Sequence, residues 1–92
     1  VRVVAIACVK DGAVYSFGAG TYVGDEVPPP EVIGPFGQVI LPNPKIELDS
    51  GEVVWGCECY WGPEKKMRER FFPEDAVVKE ITPQQYRKRE LP

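Results

Sequence analysis

The alternation of apolar and polar positions organises the first quarter of the chain into two β-rich runs, "VRVVAIACVK" and "AVYSFGAGTYV", joined by Asp11 and Gly12. Asp-Gly tolerates the positive φ angles of a type I′ turn, so the pattern predicts a hairpin with strands over about 2–10 and 13–23. Pairing Lys10 with Ala13 places Val4, Ile6 and Cys8 opposite Ala19, Phe17 and Tyr15, and this bulky side is the expected core face. The other face carries Val3, Ala5, Ala7 and Val9 with Val14, Ser16, Gly18 and Gly20. It is apolar yet nearly free of bulk, which predicts that another part of the structure approaches it closely.

Alternation then stops. Residues 24–37, "GDEVPPPEVIGPFG", hold four prolines and three glycines. Such a segment is too broken for a helix and unsuited to a central strand, and reads as a long loop anchored by Val32, Ile33 and Phe36. After it "QVIL" reads as a short strand, "PNP" as a break, and "KIELDSGEVVWGCECYW" as a second hairpin. A turn centred on Ser50 and Gly51 brings Leu48 opposite Val53 and Ile46 opposite Trp55. Continued as one strand, that face carries Cys57, Cys59 and Trp61 inward and leaves Val54, Glu58 and Tyr60 on the other side.

Pro63 suits the first position of a helix, and "PEKKMRERFF" places Met67 and Phe71 on one helical face before Pro73 ends it. "AVVKEI" is the last expected strand. "TPQQYRKREL" reads as a frayed helix capped by Thr82 with Pro83 in its first turn. Residues 1–81 therefore form one β-rich domain and 82–92 a C-terminal helix or tail. The expected class is mainly β: a small bent β-barrel or roll of about five to six strands, with a short helix before the last strand and a short C-terminal helix. In element order, residues 38–81 resemble the SH3-like small barrels, in which a short helical turn precedes the last strand. That resemblance lies at the level of fold and implies a binding role.

Composition narrows the chemistry. The 92 residues carry a net charge of −3. Residues 1–62 hold three Lys/Arg against eight Asp/Glu, and 63–92 hold eight against six. An acidic majority without a basic stripe argues against nucleic acid. No apolar stretch reaches the ~20 residues that span a bilayer, and the N-terminal run lacks a signal-peptide cleavage site, so no membrane role is expected. The chain begins with Val rather than Met, which points to a processed or trimmed start. Three cysteines form an odd, sparse set that suits reduced thiols in a cytoplasmic protein.

With no histidine, Ser-His, Cys-His and His-metal mechanisms are absent. Cys57 and Cys59 alternate along an expected strand about 6.5–7 Å apart, long for shared chelation, so they read as core thiols rather than zinc ligands. "GAGTYVG" lacks the Lys and the following helix of a phosphate loop. "EKKMRER" offsets half of its basic charge with two glutamates and reads as a solvated amphipathic face. No catalytic residue, metal or cofactor is expected.

The leading expectation is a non-enzymatic binding module. Its surface would combine Tyr22, Asp25, Glu26 and Phe36 with Glu58, Tyr60 and Trp61, acidic groups beside aromatic faces that suit a basic peptide or a small cationic or nitrogen-rich ligand. A second reading is an assembly protein that uses the small-residue hairpin face or an edge strand to bind a partner protein or a second copy. A third is a carboxylate enzyme built around Glu58.

Overall fold

The computed structural model describes residues 1–90. β1 (Arg2–Lys10) and β2 (Ala13–Glu26) form the expected hairpin, with Asp11 at φ 51° and Gly12 at φ 78° making the turn. A small hairpin of β3 (Ile33–Gly34) and β4 (Gly37–Gln38) follows. Then come β5 (Asn43–Leu48), β6 (Val53–Trp55), a single 3-10 turn over Gly56–Glu58, and β7 (Tyr60–Pro63). The chain continues through α1 (Glu64–Phe71), β8 (Val77–Glu80) and α2 (Pro83–Arg87). Leu91 and Pro92, at the end of the expected C-terminal segment, lie outside the described residues.

Six strands make one sheet in the order β6-β5-β2-β1-β7, with β8 added in parallel to the first part of β2. β2 is long enough to serve two neighbours on one side: Ala13–Ser16 pair with β8, and Gly20–Glu26 pair with β5. The protein is thus mainly β, with short helices. β6 and β7 sit at opposite edges of the sheet and are joined by the 3-10 turn, with no ladder between them. The sheet is therefore curled and does not close into a barrel.

Several expectations need correction: "QVIL" is strand only at Gln38, and Asn43 and Pro44 begin β5 where a break was expected. In the first hairpin, Lys10↔Ala13, Cys8↔Tyr15 and Val4↔Ala19 pair as expected, but Ile6 meets Ser16 instead of Phe17. Compensating irregularities on either side of Ile6 disturb the alternation of faces. As a result the small residues Val3, Ala5 and Ala7 join Tyr15 and Phe17 in the main core, together with Ile46, Leu48, Val54 and Ile81. At Gly20 the neighbouring strand β5 comes close: a Cβ there would lie 2.5 Å from the Glu47 carbonyl oxygen and 2.9 Å from Leu48 Cα. Val4, Ile6 and Val14 form a second cluster with Met67, beneath α1.

The second hairpin is shifted by one residue, so that Ile46 faces Val54 and Lys45 faces Trp55. Its loop explains the shift. Gly51, at φ 95°, donates to the Leu48 carbonyl at 2.9 Å and Leu48 donates to the Glu52 carbonyl at 2.8 Å, a three-residue loop in place of a two-residue turn. Finally, "VVWGCECYW" is not one strand. The 3-10 turn breaks its alternation, so the expected stripe of Val53, Trp55, Cys57, Cys59 and Trp61 does not form, and Val54 is buried in its place.

Both helices form where the punctuation placed them. α1 carries an Arg68–Glu64 pair one turn apart at 3.0 Å and presents Met67 to the second cluster. α2 opens with a reciprocal cap: Gln85 N donates to Thr82 Oγ1 at 3.1 Å, and Thr82 N donates to Gln85 Oε1 at 2.9 Å. Its Tyr86 meets Phe17 edge-on at 5.6 Å, covering one end of the main core. No helix among the described residues is long and apolar enough to cross a membrane.

Candidate functional site

The residues expected to share one surface occupy four places. Tyr22 on β2 and Trp61 on β7 do meet, stacked at 5.3 Å between ring centroids and 22° between planes, across the small residues of β1. Tyr22 Oη donates to Asp25 Oδ1 at 2.6 Å, and this hydrogen bond holds the phenol above its ordinary pKa. Glu26 pairs with Lys45 at 3.5 Å, and the Lys45 ammonium lies 6.0 Å from the centre of the Trp55 ring. β2 runs through Asp25 and Glu26, three residues beyond its expected end, so both carboxylates stand on a strand rather than in the loop.

Glu58 lies elsewhere. The 3-10 turn rotates it inward, and its side chain is 2% exposed. There it accepts two hydrogen bonds from Arg87 of α2, Nε to Oε2 and Nη2 to Oε1, both at 2.8 Å, and a third from Trp55 N at 3.2 Å. Arg87 Nη2 also donates to the Val53 carbonyl at 3.2 Å. The same carboxylate holds the guanidinium above its ordinary pKa. With both oxygens engaged by this fork, Glu58 ties α2 to the β6–β7 connection and presents no free carboxylate to a ligand.

Tyr60 and Trp61 diverge, as neighbours in a strand must. Tyr60 is opposite Ile6 and opens onto the α1 side, whereas Trp61 is opposite Ala5 and packs against the main core. Phe36 stands fully exposed at the tip of the β3–β4 hairpin, apart from the other six.

The three cysteines are free thiols. Cys59 Sγ donates to the Trp55 carbonyl at 3.4 Å, and burial first, then the nearby Glu58 and Cys57, push its pKa up to about 12. Burial also raises the Cys57 thiol. Among the described residues no three His, Cys, Asp or Glu side chains are grouped to hold a metal ion.

A concavity with no counterpart in the sequence pattern lies beside α1. It is an open groove of about 900 Å³ between the end of α1, β8, the start of α2 and the middle of β2, at the point where β2 exchanges β8 for β5 as its neighbour. Val4, Phe72, Val78 and Ile81 supply apolar walls, and Glu52, Glu74 and Glu80 bring three carboxylates. Arg68 is the sole basic residue of the lining, and it already bonds Glu64 at 3.0 Å and lies over the Phe72 ring. The groove is therefore an acidic, partly apolar trough of a size that holds small ligands, ~300–1,000 Å³. Its glutamates come from a hairpin loop, a helix-to-strand connection and a strand, so only the tertiary fold assembles them.

No family model, curated protein or solved structure matches the chain.

Proposed function

We propose that this protein is a non-enzymatic binding module that takes a basic peptide or a small cationic, nitrogen-rich ligand in the acidic groove beside α1. One observation carries the reading: three glutamates line an apolar trough whose single arginine is already bonded to Glu64. Carboxylates gathered in a concave site attract a cation more strongly than the same charges spread on a convex surface. The apolar walls add affinity for the aliphatic stem of a lysine or arginine.

Architecture supports a binding role. We read the curled sheet as an open SH3-like small barrel, on the strength of its strand order, the 3-10 turn linking its two edge strands and the short helix before β8. The carboxylate-enzyme alternative loses its best residue, since Glu58 is buried in its fork with Arg87. Val3, Ala5 and Ala7 of the assembly alternative's small-residue face lie inside the chain's own core, which leaves edge strands as the surfaces for that reading. Three free thiols suit a reducing, cytoplasmic compartment.

Charge reversal of the groove tests the proposal. A short peptide alternating arginine and leucine should raise the melting temperature of the native protein and leave a Glu74→Lys/Glu80→Lys variant unchanged. Both glutamates are exposed, so the variant should melt close to the native protein without ligand. Equal stabilisation of both proteins by the peptide would refute the assignment.

A further inference from the structure

A second groove, on the other flank of α1, has the opposite charge and lies beside an incomplete sheet edge. β1 runs to Lys10, but its ladder with β7 ends at Ile6↔Tyr60. On that side Ala7–Lys10 have no strand partner among the described residues, and Val9 is 57% exposed. The adjoining groove, about 620 Å³, is walled by Ile6, Val9, Tyr60, Met67 and Phe71, and its only charged residue is Arg70.

We infer that this edge and groove together receive an extended segment of a partner protein, added to β1 where β7 leaves off. Backbone pairing to Ala7–Lys10 would supply the ladder, and alternate apolar side chains of the segment would fall on Val9, Tyr60 and Phe71. Arg70, the one charged residue of the groove, selects a segment carrying an aspartate or glutamate on the groove side. A second copy of the chain fits less well, because a two-fold pairing of β1 edges brings both copies' Lys10 and Arg70 toward one short ladder. The inference uses a different surface from the acidic groove, and the two stand or fall separately.

A library of random dodecapeptides displayed on phage and selected against the intact chain is a direct test. The expected outcome is enrichment of sequences that alternate apolar residues and include Asp or Glu. A selected peptide should slow amide hydrogen exchange at Val9, whose N–H faces the free edge while Cys8 and Lys10 pair with Tyr15 and Ala13 of β2, bind roughly tenfold more weakly to Arg70→Glu, and bind a Glu80→Lys variant unchanged. Three results would overturn the inference: no enrichment, peptides that bind without protecting the Val9 amide, or acidic preference that persists in Arg70→Glu. Concentration-dependent dimerisation that protects Val9 without peptide would assign the edge to a second copy and overturn it as well.

Discussion

Glu58 shows how one backbone irregularity changes the meaning of a residue. In an unbroken strand it would face away from the core beside Tyr60; in the 3-10 turn it is buried against Arg87. Removing one partner of a buried pair strands the other charge, so Arg87→Ala should destabilise the fold by about 3 kcal/mol, measured by urea denaturation. The double variant Glu58→Leu/Arg87→Met, which leaves no unpaired charge, should lose less. If Arg87→Ala proved as stable as the native protein, the pair would not be holding α2.

The Cys59 thiol gives a pH prediction with a definite sign. Its folded pKa of about 12 lies above the ordinary thiol value of 9.0, so between those limits the folded state retains a proton that the unfolded state releases. Its contribution is fully present below pH 9 and is lost as pH rises toward 12. Cys59→Ala should flatten the decline of denaturation midpoint across that window, relative to the native protein. An unchanged slope would show that the thiol is not protected by burial.

At the scale of elements, local turn chemistry decided what the sequence revealed. The first hairpin was legible because Asp11-Gly12 dictates its turn, and both helices because Pro63, Pro73 and Thr82-Pro83 mark their ends. The second hairpin sits one residue away from its expected register, since a two-residue turn and the observed three-residue loop both satisfy "DSGE". Only the pairing of Leu48 N with the Glu52 carbonyl, in the folded chain, separates them. Gly56 hid the largest error: it begins the 3-10 turn where a Cβ would come within 2.8 Å of the Pro44 ring, a contact no local pattern announces. Gly20 is the corresponding constraint in β2. Its missing side chain admits the β5 backbone, so Gly20→Ala should cost about 1–3 kcal/mol in equilibrium denaturation through displacement of Glu47 and Leu48. A neutral substitution would mean that β5 moves away freely.

For the molecule as a whole, strand order places the two grooves. β2 changes neighbour partway along its length, and the acidic groove opens at that change; β7 leaves β1 early, and the second groove opens there. α1 stands between the two, with Arg68 and Phe72 lining the first and Arg70 and Phe71 the second. The residues that composition and pattern combined into one acidic-aromatic surface are dispersed by the fold, and the acidic groove was not legible because Glu52, Glu74 and Glu80 come together only through long-range contacts. Backbone amide spectra recorded during titration with the arginine–leucine peptide test the central claim most directly. Saturable, salt-sensitive shifts centred on Phe72, Val78, Glu80 and Ile81 are the predicted result; shifts centred instead on Tyr22, Asp25 and Trp61, or no shifts at all, would contradict it.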